Sequence, residues 1–190
     1  LDSRIRPDAV RLTLALSAPV TEIAAASRFP DAVVGFATLP PWGERHLVEV
    51  LTGLRSSTEA CAIAVAALED LGKETSLVRD GAGGVFPRIF AMIVNEAAFA
   101  LAEGVARPED IDTALRLGAN YPRGPLALAD EIGLQTILAV IEGLQRETGE
   151  DRYRPAPFLR KMVTAGWTGR EAGRGFVTPS DTHSDGSDHA

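Results

Sequence analysis

The stretch Pro108–Leu134, PEDIDTALRLGANYPRGPLALADEIGL, determines the fold of the second half of this 190-residue chain. Pro108 suits the first turn of a helix. The negative charges of Glu109 and Asp110, which follow it, interact favourably with the positive end of the helix dipole. Gly118 ends that helix, NYPRGP forms a turn into another helix, and Gly133 separates that helix from a further one. The pattern therefore predicts a succession of short helices.

The sequence around this stretch is helical as well. A long helix is predicted before it, and two more, Leu134–Thr148 and Pro157–Ala165, are predicted at its end and beyond. The long helix is recognised by apolar and small residues at helical spacing, namely Ile89, Ile93, Ala97, Ala100, Leu101 and Gly104.

The first 80 residues alternate strand-like and helix-like segments. Thr21–Ser27 is predicted to be a short helix with Thr21 as its N-cap, and Ser57 is predicted to cap a helix that reaches Leu71. Alternation of this kind is typical of a parallel or mixed α/β sheet. The predicted strands are Leu12–Leu16, Val33–Thr38, His46–Leu51 and Glu74–Asp80.

Charge and composition exclude several classes of partner and location. A formal net charge of −7 argues against nucleic acid as a partner. Apolar runs of eighteen residues are lacking and Leu1–Arg11 has no signal-peptide pattern, so we expect neither membrane insertion nor export. The one cysteine, Cys61, fits a reducing compartment and is expected in the core. The sequence thus predicts a cytoplasmic globular protein without a metal site.

The order of motifs resembles the 3-hydroxyacyl-CoA dehydrogenase family from about Pro7 to Val177. The chain contains TEIAAAS, VVGFATLPP, HLVEV, DLGKETSLVRD, GAGGVFPR and VNEAAFALAEGVARPEDID in the order and spacing of that family, followed by GREAGRGF at 169–176. Order and spacing over most of a chain are more specific than any single motif.

The resemblance implies an α/β fold followed by an all-α one. Residues 1–82 would form part of a Rossmann-type NAD-binding sheet, and residues 83–177 a helical dimerisation domain of the 6-phosphogluconate-dehydrogenase-C-like type. The implied activity is the NAD-dependent oxidation of 3-hydroxyacyl-CoA to 3-ketoacyl-CoA in fatty acid metabolism and beta-oxidation, by a homodimer with acyl-CoA as substrate. Residues 178–190 are rich in Ser and Asp and are predicted to be a disordered tail.

Several positions bear on the site that the resemblance implies. The family's histidine base falls on Ala37, whereas the glutamate that orients this base is kept as Glu49. The asparagine that binds the substrate oxygen falls on Pro87, which has neither a side-chain donor nor an amide hydrogen. Ser17 remains from a serine-rich strand end as a substrate-binding candidate. Arg123 is either a contact for a CoA phosphate or an ordinary turn residue.

The cofactor motif of the family is not found in this sequence. The glycine cluster Gly81–Gly84 follows a strand and precedes a helix, but a G-x-G-x-x-G motif would need glycine at Phe86, so we interpret the cluster as a linker. NAD, although implied by the family, is not expected to bind this chain alone. With the front half of the Rossmann sheet missing, Leu12–Leu16 should form an exposed apolar sheet edge.

Two functions stay open. The chain is either a 3-hydroxyacyl-CoA dehydrogenase that is unable to catalyse alone, or a non-catalytic dimerisation or acyl-CoA-binding module derived from that family. His46 lies three positions from Glu49 and is therefore predicted on the opposite face of the strand, where it would not act as base. Asn95 and Glu96 either cap a neighbouring helix, pair across a dimer, or face solvent.

Overall fold

The computed structural model describes residue 6 and residues 8–177. The strands are β1 (Arg11–Leu14), β2 (Val33–Ala37), β3 (Leu47–Thr52) and β4 (Glu74–Arg79). The α helices are α1 (Val20–Ala25), α2 (Thr58–Asp70), α3 (Phe86–Ala102), α4 (Pro108–Gly118), α5 (Pro125–Ile132), α6 (Leu134–Thr148) and α7 (Pro157–Thr164). The predicted elements are therefore confirmed, with ends that differ by one or two residues at several of them. The tail predicted at 178–190 lies outside the described residues.

The chain divides into two compact units. Of the described residues, the first unit contains those up to Met92 together with Ala139–Arg154, and the second contains Ile93–Leu138 together with those from Pro155 to Val177. The first unit therefore contains the sheet, and α3 and α6 each contribute residues to both units.

The sheet of the first unit is mixed, as the alternating pattern predicted. Its strand order is β1-β2-β3-β4, with β1 parallel to β2, β2 antiparallel to β3, and β3 parallel to β4. Leu12 and Leu14 on the outer strand β1 are 39% and 41% exposed, whereas Ala15 and Leu16 beyond its end are buried. The expected apolar edge is thus present, and it is limited to the four residues of β1.

One face of the sheet packs against α2. The side chains of Val34, Val48 and Val50 alternate onto this face, as the period of two in strands requires. They form one apolar core cluster with the α2 residues Ala60, Ala64 and Leu68. The Ser57 side chain accepts a hydrogen bond from the amide of Ala60, which confirms it as the N-cap of α2.

The opposite face packs against α1, and glycine at position 35 permits the contact. A Cβ atom at Gly35 would lie 2.2 Å from the Cγ2 atom of Val20, the first residue of α1. The prediction that Thr21 caps this helix is wrong. Thr21 lies inside α1, and the carboxylate of Asp80 caps it instead, accepting hydrogen bonds from the amides of Val20 and Thr21 at 2.6 and 2.9 Å. A residue 59 or 60 positions away in the sequence was not available to local pattern reasoning.

The predicted apolar stripe of α3 is also partly wrong. Ile89 is 56% exposed, and the fully buried side of the helix is formed by other positions, among them Ala91, Val94 and Ala98. The helix is apolar nearly all round, so its periodicity did not distinguish which side faces the protein. Ala97, a member of the predicted stripe, is buried.

Polar side chains on α3 and α4 hold backbone segments of the second unit. The Asn95 Oδ1 atom accepts a hydrogen bond from the amide of Ala156, the residue before α7, at 2.8 Å. This confirms the capping alternative for Asn95, while Glu96 is exposed. The Asp112 carboxylate on α4 accepts hydrogen bonds from Leu126 and Ala127 in the first turn of α5 at 2.8 and 2.9 Å.

Asp130 on α5 plays the same role for the last described segment. Its carboxylate accepts hydrogen bonds from the amides of Phe176 and Val177 at 2.9 and 2.8 Å. Burial raises the pKa of the Asp130 carboxyl above its ordinary value of 3.8, because the loss of hydration outweighs the opposing effect of the two amides.

We therefore predict that Asp130→Asn has a stability difference from the wild type that depends on pH. The folded state binds the proton more tightly, so the wild type gains stability relative to the variant as the pH falls from neutral towards 3.8, and gains no more below 3.8. Urea unfolding of both proteins at neutral pH and at about pH 4.5 measures this change.

Asp110→Asn is the control for that comparison. The pKa of Asp110 is lowered by its hydrogen bond with Arg107, so its contribution is lost only as the pH falls below 3.8. A stability difference for Asp130→Asn that stays constant, or that changes in the opposite direction, would contradict the assignment.

Candidate functional site

An open pocket of about 320 Å³ lies in the first unit, beside the antiparallel pair β2 and β3. It is lined by the end of β2, the segment before β3, the beginning of β3 and the first residues of α3. The lining residues are Ala37, Thr38, Glu44, Arg45, His46, Leu47, Glu49, Phe86 and Pro87. The pocket thus brings together three sequence-predicted positions, Ala37, Glu49 and Pro87.

Glu49 is the buried charged residue of this pocket, with a relative exposure of 5%. Its two carboxylate oxygens accept hydrogen bonds from the amides of Val85 and Phe86, at 2.5 and 2.7 Å. These amides belong to the start of α3, where backbone donors have no partner within the helix and a negative charge is favoured. Glu49 therefore fixes the beginning of α3 to the sheet.

Gly84 provides the space that this contact needs. A Cβ atom at Gly84 would lie 2.2 Å from the Oε2 atom of Glu49 and 3.2 Å from the Cβ atom of Ala37. The φ angle of Gly84 is +60°, which also favours glycine. The glycine is required both for its backbone conformation and for the approach of the carboxylate.

Ala37 is the direct cross-strand partner of Glu49 in the β2–β3 register. Cross-strand partners share one face of a sheet, so a side chain at position 37 is adjacent to the Glu49 carboxylate. Alanine presents only a methyl group there and is 1% exposed. Pro87 occupies the first turn of α3, where a missing amide hydrogen costs nothing.

The structure corrects the prediction for His46. His46 precedes β3, which begins at Leu47, so the alternation of strand side chains does not apply to it. It is exposed and lines the same pocket as Glu49. Within the part of the chain that the structure describes, the Glu49 carboxylate is hydrogen-bonded to backbone amides and forms no hydrogen bond with His46.

Ser17 and Arg123 do not line this pocket. Ser17 lies in a bend after β1, where its carbonyl oxygen accepts a hydrogen bond from Arg146 at 2.5 Å. Arg123 belongs to the second unit and forms an ion pair with Glu131. In this structure both residues make protein contacts, and their proposed contacts with substrate remain predictions.

Sequence reasoning missed three polar residues that line the pocket, Thr38, Glu44 and Arg45. Arg45 donates hydrogen bonds to the carbonyl oxygens of Leu39 and Pro40, at 3.2 and 3.0 Å, and thereby fixes the segment between β2 and β3. This segment has no periodic pattern, so the sequence held no signal for the side-chain positions within it.

The glycine cluster tests whether these residues could hold a dinucleotide. In a dinucleotide-binding turn the absent side chains leave room for the pyrophosphate. Here the space beside Gly84 is occupied by Glu49, and a Cβ atom at Gly83 would lie 3.0 Å from a methyl group of Val140. The amide of Gly83 donates to the carbonyl oxygen of Ala15. The cluster packs against protein and does not fit NAD.

The described residues contain no group of three or more His, Cys, Asp or Glu side chains placed to bind a metal ion. None of their helices has the length and the apolar character needed to span a bilayer. Cys61 is half-buried against the α2 core, and burial raises the pKa of its thiol.

Comparison with known proteins agrees with the arrangement of these elements. Residues 83–179 match the family model of the 3-hydroxyacyl-CoA dehydrogenase C-terminal domain. The probable 3-hydroxybutyryl-CoA dehydrogenase of Bacillus subtilis (strain 168) is 44% identical over 176 residues, which are 93% of this chain and 61% of the relative. The probable 3-hydroxybutyryl-CoA dehydrogenase of Deinococcus radiodurans is 43% identical over 172 residues, 90% of this chain and 62% of the relative.

A solved structure is also similar to this chain over most of its length. The crystal structure of (S)-3-hydroxybutyryl-CoA dehydrogenase from Ralstonia eutropha superposes with a TM-score of 0.83 and 40% sequence identity, and the match covers 93% of this chain and 62% of that one. The chain therefore spans about three fifths of the length of the relatives that it matches.

The close approach of the Glu49 carboxylate to Gly84 predicts that a methyl group at position 84 destabilises the fold. Gly84→Ala should lower the free energy of unfolding by more than about 2 kcal/mol, because it combines backbone strain with displacement of a buried carboxylate. Gly72→Ala is the matched control, since Gly72 has a φ angle of +74° but open space around it. The control should cost only about 1 kcal/mol of strain. Equal losses in urea unfolding would show that the carboxylate contact contributes nothing.

Proposed function

Because the chain belongs to the 3-hydroxyacyl-CoA dehydrogenase family, we propose that it serves the NAD-dependent oxidation of 3-hydroxyacyl-CoA to 3-ketoacyl-CoA in fatty acid metabolism and is unable to carry out this reaction alone. In this proposal residues 1–82 are part of a Rossmann-type NAD-binding domain and residues 83–177 are the helical domain. The contacts to NAD come from outside this chain, since the glycine cluster does not fit the cofactor. The cytoplasmic location stays a prediction from the sequence.

The environment of Glu49 is the observation that supports this proposal most directly. Oxidation of a 3-hydroxyl group needs a base within hydrogen-bonding reach of its proton. The methyl group of Ala37 accepts no proton, and both oxygens of Glu49 already accept hydrogen bonds from backbone amides of α3. Loss of a general base typically lowers a rate by a factor of about 10² to 10⁴.

A second candidate is a non-catalytic module that binds acyl-CoA. The pocket beside β2 and β3 combines exposed apolar side chains, Leu47 and Phe86, with the polar side chains of Arg45 and His46 at its rim. Apolar walls with a few polar groups are the usual composition of a small-molecule site. Such a pocket can bind the acyl and thioester part of a ligand without the groups that would oxidise it.

The proposal also includes the formation of a homodimer through the helical domain. α4 has no buried residue, and its Leu117 is 76% exposed. Val105, just before α4, is 70% exposed. An amphipathic helix with exposed apolar residues is stabilised when a second copy covers them.

The enzymatic proposal is tested with acetoacetyl-CoA and NADH. The chain alone should consume no NADH above background, while the full-length relative from Bacillus subtilis serves as the active control, and calorimetry should detect no tight binding of NAD. Robust turnover by this chain would show that a group in the pocket replaces the base. Turnover that is lost in His46→Gln would identify that group as His46.

Binding of acetoacetyl-CoA tests whether the pocket beside β2 and β3 takes an acyl-CoA ligand, as both candidate functions require. Phe86→Ala should weaken binding about tenfold, because Phe86 contributes apolar surface to the pocket. Ile89→Ala is the matched control, since Ile89 is an exposed apolar residue of the same helix that does not line the pocket. Equal affinities of the two variants would place the ligand elsewhere.

The dimer proposal is tested by analytical ultracentrifugation. Leu117→Lys introduces a charge into the proposed interface and should shift the protein from dimer to monomer without loss of helical content in circular dichroism. Leu54→Lys is the control, because Leu54 is 89% exposed and lies in the first unit. A wild type that sediments as a monomer at every concentration would refute the proposal.

A further inference from the structure

A second open pocket, of about 330 Å³, lies within the second unit. It is formed by the end of α3, the segment leading into α4, α7 and the segment that follows α7. The lining residues are Leu101, Ala106, Pro108, Phe158, Met162, Trp167, Arg174, Gly175 and Phe176. Its volume is at the lower end of the range for ligand pockets, so it suits a small molecule.

The lining of this pocket is apolar and well fixed. Met162 and Phe176 are 3% and 7% exposed, and the rings of Phe158 and Phe176 are 6.5 Å apart. The position of Phe176 is set by the hydrogen bond from its amide to the buried Asp130 carboxylate. The pocket therefore presents a pre-formed surface for an apolar ligand body, which keeps the entropic cost of binding low.

Arg174 is the one charged residue of the lining. Its guanidinium carbon lies 3.4 Å from the centroid of the Trp167 ring, and its backbone is paired with that of Gly169. Stacking uses the face of the guanidinium group and leaves the N–H donors at its edge available to a ligand.

Arg174 also differs from other arginines of the second unit in the partner of its positive charge. Arg170 and Arg123 both lie within ion-pair distance of Glu131, and Arg107 is paired with Asp110. Among the described residues, Arg174 has a contact with an aromatic ring and forms no ion pair with a carboxylate. An apolar pocket with one such cation is complementary to an apolar molecule that carries one negative charge.

We propose that this pocket binds a short apolar monocarboxylate, with the hydrocarbon part against Met162 and Phe176 and the carboxylate at the guanidinium of Arg174. A carboxylate matches the planar donor edge of arginine in a two-point hydrogen bond. The positive charge of Arg174 would repel an amine, and an uncharged head group would form a weaker hydrogen bond with it. The inference concerns residues of the second unit only and goes beyond the proposed dehydrogenase function.

Hexanoate is the probe for this site, with 1-hexanol and hexylamine as ligands of the same chain length. The full chain carrying Trp42→Phe is used, so that Trp167 is the remaining tryptophan and its fluorescence reports binding. Hexanoate should bind saturably, and the alcohol and the amine should bind at least about tenfold more weakly, since they lack the charged hydrogen bond to Arg174.

Arg174→Gln should lower the affinity for hexanoate about tenfold or more and leave the weak binding of 1-hexanol unchanged. Arg170→Gln is the matched control, because Arg170 is exposed and does not line the pocket. Ala106→Phe, which fills the pocket, should abolish binding while the circular dichroism spectrum is retained.

Three results would overturn the proposal. They are the absence of saturable hexanoate binding, equal affinities for hexanoate and 1-hexanol, and equal effects of Arg174→Gln and Arg170→Gln. An affinity for hexanoate that falls as the protein concentration rises would also overturn it, since a second copy of the chain would then be the occupant of the pocket.

Discussion

The contact between the Glu49 carboxylate and the start of α3 is the constraint on which the candidate site depends. A carboxylate with 5% exposure must be compensated, and the amides of Val85 and Phe86 provide this compensation. Because the carboxylate extends from β3 and the amides belong to α3, the contact fixes helix and sheet to one another. Pro87 and Phe86 are thereby held beside Ala37, and these positions define the pocket.

Other carboxylates of the described chain bind pairs of backbone amides in the same way. Asp80 caps α1, Asp112 caps α5 and Asp130 binds the segment at Phe176, in each case with two backbone amides on the two oxygens of one carboxylate. A hydrogen bond from an amide to an ionised acceptor is stronger than one to a neutral acceptor. The fold therefore relies on a few carboxylates that connect elements distant in sequence, in addition to its apolar core.

These connections also mark the limit of what the sequence could predict. Local patterns located the strands and helices, including Ser57 as the cap of α2 and Pro108 at the start of α4, because propensities and caps act within a few residues. They did not indicate that Asp80 caps α1, since the partners are about 60 residues apart. For the site, the motif resemblance indicated Ala37, Glu49 and Pro87, but the positions of Arg45 and His46 depend on an irregular segment without a pattern.

The arrangement at position 37 shows why the fold needs no polar partner there for Glu49. The two oxygens of Glu49 are already satisfied by the backbone at the start of α3. Alanine at position 37 therefore leaves no buried charge uncompensated, and Gly84 keeps the space that the carboxylate occupies. Pro87 likewise fits the first turn of a helix, where no amide hydrogen is needed. Glu49 thus has a structural role that does not depend on catalysis, so its presence alone does not indicate activity.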